Sequence, residues 1–554
     1  MEKTFGNADL LYKKVIDMSA PLPLSALSFG LDSSLGDATL VQTHIGWVYL
    51  IGAYAFKLKK HVKFDFLDFT TLEKRRWACE REIVLNSRLC PEIYIGLRAV
   101  EEQADGVKCL VKEVDASNTG SPTAARATRI VDWAVWMRRL PAERMADLLL
   151  KNDAVERKDV EGIADVLAPF YLQQRGLIAP GGLGDLAAVT FNIEENLREG
   201  AGLDQGLLDS AALSFIGRRA RSFLKEHGEL VSERARQGFV VDGHGDLRSE
   251  NICLPLNAAP VLFDCIEFND RFRIGDSALD IAYLAMDLDA RGRGDLSRAF
   301  LKRYTESCDA RLSPLLLNFY LGYRAFVKGK VQAWIAGDAN VEAAHKQHAA
   351  DEAKNLFDLC VRYALPRRPF LILLCGVSGS GKSTLARNLA QRLRWAHLAT
   401  DLIRDEIVPR GTPPALRYAP ENSASVYQVL GERARQALTG GQSVICDGTF
   451  TWAASRSELC DEAHRAGALA ILIWVDCEPG RAAAHIEKRQ ACGESFGSEA
   501  DAAISINQRL SFQNPSADES FDAFISIPTD QSLEASLSRM WHALLNSFAA
   551  LPEN

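Results

Sequence analysis

The nine residues GVSGSGKST at 376–384 constrain this chain more than any other feature, because a loop of that form works only between a buried strand and a helix. Four residues lie between Gly376 and Gly381, and Lys382 and Ser383 follow directly. In such a loop Gly376, Ser378, Gly379, Ser380, Gly381 and Thr384 belong to the turn that curls backbone N–H groups around a β-phosphate. Lys382 reaches the β/γ oxygens and Ser383 ligates Mg²⁺. The neighbours agree. The apolar run PFLILLC at 369–375 reads as a buried parallel strand, and TLARNLAQRL as a helix whose N-terminus faces the phosphates.

A second signature, HGDLRSEN at 244–251, has the form H-x-D-x-x-x-x-N. Asp246 is placed to take the proton of an acceptor hydroxyl, and Asn251 to hold a metal ion together with an aspartate from a later strand. PVLFDCIEF at 260–268 reads as that apolar strand, interrupted by Asp264 as the second metal ligand. Asp280 in DSALDIAYLAMD is expected to tie the loop down, with helix N-capping as the alternative.

Earlier in the chain, residues 38–60 alternate as strands, and a charged helix spans about 70–89. A period of two in AYAFKLKK puts Ala55 and Lys57 on one face and Tyr54, Phe56 and Leu58 on the other. That is the A-x-K spacing with which a kinase strand packs alanine on adenine and sends lysine to the α/β-phosphates. Lys57 is therefore the expected nucleotide lysine, with Lys59 on the same face as the alternative. Its helix partner is Glu82 or Glu80, which point to different sides; Glu82 is the expected one. Residues 133–141 read as a strand entering a connector, and 141–237 as mainly helical.

After Pro366 and Pro369 strands recur near 396, 443, 468 and 523 with helical stretches between, the spacing of a doubly wound parallel sheet. Asp401 is expected to close the second strand and to act as base on an acceptor hydroxyl, with Arg404 one turn on orienting an anionic group. The alternative is an N-cap beside a solvated arginine. Asp447 ends the third strand and is the expected Mg²⁺ aspartate of this half. Arg481 and Arg489 lie in a stretch, 480–510, whose charge, Gly and Ser suit a lid, and Arg489 is the candidate for neutralising transition-state charge.

On these residues the chain divides into 1–366 and 367–554. The first part, through AFK, HGDLRSEN, FDCIEF and DIA, resembles the aminoglycoside phosphotransferase and choline kinase-like family. That resemblance implies an α+β, two-lobed protein-kinase-like domain that phosphorylates a hydroxyl from ATP or GTP. One departure is visible: the stretch 43–46 lacks the G-x-G-x-x-G phosphate cover. The second part, through GVSGSGKST and D-x-x-R, resembles the P-loop kinases that include polynucleotide 5′-kinases, gluconate kinase, chloramphenicol phosphotransferase and zeta-toxin proteins. It implies an α/β P-loop NTPase domain. The order of the two parts is similar to that of a bacterial family of fused predicted kinases.

The expected activity is a bifunctional, ATP- and Mg²⁺-dependent phosphotransferase with a hydroxyl acceptor in each part. Two alternatives stand beside it: a polynucleotide 5′-kinase-like second part, and one part that senses nucleotide without transferring phosphate. A net charge of −8 and a pI near 5.8 argue against broad adhesion to nucleic acid and favour a small molecule or a nucleic-acid end as acceptor. The 12 cysteines form no C-x-x-C pair, and no apolar stretch approaches membrane-spanning length, so a cytoplasmic protein without a membrane partner is expected.

Overall fold

Alternating side chains before residue 140 gather into one sheet of seven strands, ordered Leu27–Ser28, Lys108–Leu110, Tyr94–Glu102, Arg129–Arg138, Tyr54–Lys59, Gly46–Ile51, Thr39–Gln42. The protein is represented by a computed structural model that describes residues 27–28, 39–43, 45–64, 66–102, 108–110, 129–339, 341–409, 411–491 and 502–551. By packing, the chain forms two units: 1–202 with 223–328, and 203–222 with 329–554.

In the first unit the strand Tyr54–Lys59 pairs antiparallel with Gly46–Ile51 and Arg129–Arg138. Its Ala55 packs with Cys79, Val135 and Met137, while Phe56 and Leu58 pack with Trp47, Tyr49 and Ile51 on the opposite face. Both faces of the strand are thus covered, and its lysines start from a dry base. The helix Leu72–Asn86 is N-capped by Thr71, whose side chain accepts from the Lys74 N–H. Arg75 anchors it to the sheet, donating to Asp132 at 2.8 Å.

Beyond the sheet the unit is mainly helical, with three small antiparallel pairs among the described residues: Lys63–Phe64 against Leu67–Asp68, Val240–Asp242 against Ile274–Asp276, and Ile252–Cys253 against Val261–Leu262. The expected strand at 260–268 is shorter than the apolar run suggested and ends at Leu262. Asp264 adopts φ +66, a left-handed conformation that cannot continue a ladder.

The second unit is built on five parallel strands in the order Ala396–Ala399, Val444–Gly448, Phe370–Cys375, Leu469–Asp476, Ala523–Pro528. All six residues of Phe370–Cys375 are buried, as an apolar run without alternation requires when helices cover both faces. Asp401 does not close the second strand. Ladder pairing stops at Ala399, and the helix Thr400–Ile407 starts at once, which leaves Asp401 in its first turn. Among the described residues no helix is long and apolar enough to cross a membrane.

Candidate functional site

In the first unit three distant stretches meet at Lys57. Its ammonium donates to Glu82 Oε1 at 3.0 Å and to Asp264 Oδ1 at 2.5 Å. Lys59, on the same face, donates to the other Glu82 oxygen at 2.5 Å and also to Glu267. Glu80, the alternative helix carboxylate, instead pairs with Arg76 at the surface. Burial disfavours both ammonium ions, yet the surrounding carboxylates outweigh it and hold Lys57 and Lys59 above the ordinary lysine range. Burial likewise opposes the Asp264 carboxylate, but Lys57 wins and keeps it below its usual value. Glu267 is pushed up, chiefly by burial, with Lys59 opposing.

The loop 244–251 lies beside Asp264. The N–H of Phe263 donates to the Asn251 carbonyl at 3.1 Å, and His244 Nε2 lies 2.9 Å from the Phe263 carbonyl. Within the loop, Asn251 Nδ2 donates to Asp246 Oδ2 at 2.9 Å and Arg248 Nε donates to the same oxygen at 3.0 Å. The structure therefore brings Lys57, Glu82, Asp246, Asn251 and Asp264 into one neighbourhood.

The loop is held from behind by the helix Ser277–Ala290. Asp276 is its N-cap, accepting from the Ala278 N–H. Asp280 accepts from the N–H groups of His244 at 2.6 Å and Gly245 at 3.0 Å, and from Tyr171 Oη at 3.0 Å. Seven residues on, Asp287 accepts from the N–H and hydroxyl of Ser249 at 3.1 and 2.5 Å, and from Lys328 at 2.6 Å. Two turns of helix separate the carboxylates, so they share a face and grip the loop on either side of Asp246. Asp287 and Lys328 were missed in the sequence; the only signal was the seven-residue spacing from Asp280.

A hard cation needs oxygen ligands, and this site offers them. Asp264 uses Oδ1 on Lys57, and its side chain keeps 39% exposure, so its second oxygen remains for a metal. Asn251 binds Asp246 through its nitrogen, which leaves its oxygen for the same ion.

In the second unit the loop after Phe370–Cys375 runs into the helix Lys382–Leu393, with Gly381 as N-cap at φ +91 and the Thr384 N–H bonded to its carbonyl. Lys382 and Ser380 are buried, and Ser380 Oγ has no hydrogen-bond partner among the described residues. Ser383 lies in the first helical turn. Asp447, also buried, is in register with Leu374 on the neighbouring strand, so it lies close to the root of the loop. One of its oxygens is 3.0 Å from His397 Nε2. Asp447 and Ser383 supply oxygen ligands suited to Mg²⁺.

Asp401 and Arg404 share one turn but are not ion-paired. Arg404 is only 6% exposed, and its guanidinium lies 4.6 Å from the Tyr418 ring centroid. It donates one long bond of 3.4 Å to the Arg417 carbonyl, while its Nε has no partner among the described residues. Arg489 lies in the helix Pro479–Ala491, but its side chain, like residues 492–501 of the expected lid, is outside the described residues. Arg481 caps the turn after the last strand, donating to the carbonyls of Thr529 and Gln531 at 3.3 and 3.0 Å.

Residues 371–515 match the AAA domain family, and with the parallel sheet and its glycine-rich loop they make this a P-loop NTPase-like α/β domain. The uncharacterized protein Rv2004c of Mycobacterium tuberculosis and Mb2027c of Mycobacterium bovis are each 33% identical to the chain over 416 residues, 74% of this chain and 78% of theirs. Among solved structures, a gluconokinase from Sinorhizobium meliloti is 19% identical with a TM-score of 0.26, covering 34% of this chain and 96% of its own. The APS kinase CysC of Mycobacterium tuberculosis, in complex with AMPPNP and APS, is 19% identical with a TM-score of 0.25, covering 32% and 99%.

Proposed function

The chain belongs to one family with these mycobacterial proteins, and we propose that it is an ATP- and Mg²⁺-dependent double phosphotransferase, each unit moving a γ-phosphoryl group to its own hydroxyl acceptor. The observation that carries the reading is the meeting of Lys57, Glu82 and Asp264 beside the Asp246–Asn251 loop. Three buried or half-buried charges drawn from remote stretches are costly to assemble unless they serve chemistry.

In the first unit, which we read as a two-lobed kinase-like domain, Glu82 aims Lys57 at the α/β-phosphates. Asp246 orients the acceptor hydroxyl and takes its proton, and Asn251 and Asp264 are the metal ligands. In the second unit the backbone of 376–381 and Lys382 hold the triphosphate, Ser383 and Asp447 are the metal ligands, and Asp401 receives the acceptor's proton. Arg489 is the candidate for neutralising transition-state charge. The ion would supply neutralisation of the phosphate oxygens when bound; positioning falls to these side chains and to the 376–381 backbone.

Arg404 favours an anionic acceptor in the second unit. A guanidinium this buried, without a carboxylate among the described residues, is expensive until a ligand supplies the negative charge. A nucleic-acid end carrying a phosphate beside its hydroxyl meets that need, and so does a small phosphorylated or carboxylated molecule.

Labelled ATP with a fractionated cell extract, given to the parent, Asp246→Asn and Lys382→Ala chains, tests the proposal. Two labelled products are expected, one lost in each variant. If a single substitution removes all labelling while the other alters only nucleotide affinity, one unit is a sensor and the double assignment fails.

A further inference from the structure

The helix Ala502–Ser511, with Gln513 two residues beyond its end, forms a strap across the edge of the sheet where ligands bind in α/β folds, bonded to the loops leaving three of the five strands. At the phosphate loop, Gln508 Oε1 accepts from the Ser378 N–H at 2.8 Å, and Ser505 Oγ donates to the Ser378 carbonyl at 2.8 Å. At the turn after the Asp447 strand, the Gln513 N–H donates to the Thr451 carbonyl at 2.9 Å, and its side-chain oxygen accepts from the Ala453 N–H at 2.8 Å. At the strand Leu469–Asp476, Arg509 donates to the Cys477 carbonyl at 2.5 Å.

The preceding helix presses on the same loop. His485 Nδ1 lies 2.9 Å from the Gly379 carbonyl. Gly379 has φ +84, and a Cβ there would meet the Ala482 carbonyl oxygen at 2.4 Å, so only glycine fits beneath this helix. Both backbone polar groups of Ser378 are satisfied by the strap, and neither bond uses an N–H from Gly381 to Ser383. The Ser380 N–H donates to the Val377 carbonyl at 3.2 Å, while the amides of Gly381, Lys382 and Ser383, at and before the start of the helix Lys382–Leu393, have no acceptor among the described residues and are left for phosphate oxygens.

We infer that Ser505 and Gln508 are positioning residues that hold the phosphate loop in its nucleotide-receptive shape before nucleotide arrives. Arg509 of the same helix, and Gln513 two residues beyond its end, set the loops after Leu469–Asp476 and beside Asp447. A loop that has to find this shape on its own binds more weakly in proportion to the fraction of time it spends there. The inference rests on the reading of 376–384 as the nucleotide site of the second unit.

The test uses the full chain with the first pocket silenced by Lys57→Ala, or by Asp264→Asn in a second background, and measures Mg-ATP binding by titration calorimetry. Ser505→Ala and Gln508→Met are each expected to raise Kd ~5-fold, the size of one neutral hydrogen bond, with the nucleotide-free melting temperature and saturated turnover kept. Unchanged Kd overturns the inference, and so does a loss of affinity that merely follows a lowered nucleotide-free melting temperature. Lys382→Ala in the same background separates the two layers. If it fails to weaken the remaining binding, the nucleotide-site reading itself is wrong; if it does weaken it while Ser505→Ala and Gln508→Met are silent, only the strap is refuted.

Discussion

Two glutamates two residues apart give the sharpest contrast for mutation. Glu82 is fully buried and accepts from Lys57 at 3.0 Å and Lys59 at 2.5 Å, whereas Glu80 lies at the surface with Arg76. At separations of 3.0 and 2.5 Å and an effective dielectric of about 20, each ammonium loses about 6 kcal/mol of gross attraction when Glu82 becomes glutamine. Part returns, because Asp264 and Glu267 no longer feel a third buried carboxylate, and the amide oxygen still accepts one bond. The net expectation is ~3 kcal/mol, the lower end of what removing one partner of a buried pair costs. With Lys57 no longer held from the helix, first-unit turnover should fall ~100-fold. The assay is a urea titration of first-unit activity in a Lys382→Ala chain. Glu80→Gln, an exposed i,i+4 pair, should stay within ~0.5 kcal/mol of the parent. Equal effects of the two substitutions, or normal turnover in Glu82→Gln, would refute the reasoning.

Asp280→Asn keeps the shape but turns one acceptor into a donor facing the His244 N–H and Tyr171 hydroxyl, and should cost ~3 kcal/mol and most first-unit turnover; unaltered turnover would show that the loop does not depend on it. Asp264 and Asp287 are both held below the ordinary carboxylate range against burial, by Lys57 and by Lys328 with Arg291. Their stabilisation is present above the unfolded value of about 3.9 and is lost as pH falls below it, because the unfolded chain then binds more protons. The urea midpoint of the first unit should therefore drop between about pH 4 and pH 2. A midpoint constant to pH 2, or a drop of the same size in Asp287→Asn, would count against these pairs.

Local chemistry was legible in the sequence where a function demands a fixed spacing. The loop 376–384, its strand and its helix could be placed, since an unbroken apolar run of six buried residues has no other home than a covered parallel sheet. Period two likewise separated Lys57 from Phe56, and helical geometry separated Glu82 from Glu80. What escaped is pairing across long stretches of chain. Lys59 reads as an alternative nucleotide lysine until Glu267, 208 residues away, is brought against it. Gln508 and Ser505 fall within the stretch 480–510, whose composition suits a lid and singles out neither of them, until they meet Ser378. Two boundaries were misjudged for a physical reason. Hydropathy cannot see a backbone reversal at Asp264, nor how soon after Ala399 a helix takes over.

Central to the account is that nucleotide is gripped twice in one polypeptide, by unrelated means. Calorimetric titration of the intact chain with a non-hydrolysable ATP analogue and Mg²⁺ measures this directly. Two equivalents should bind, with one lost in Lys382→Ala and the other in Lys57→Ala. Saturation at a single equivalent, abolished by either substitution alone or untouched by one of them, would contradict it.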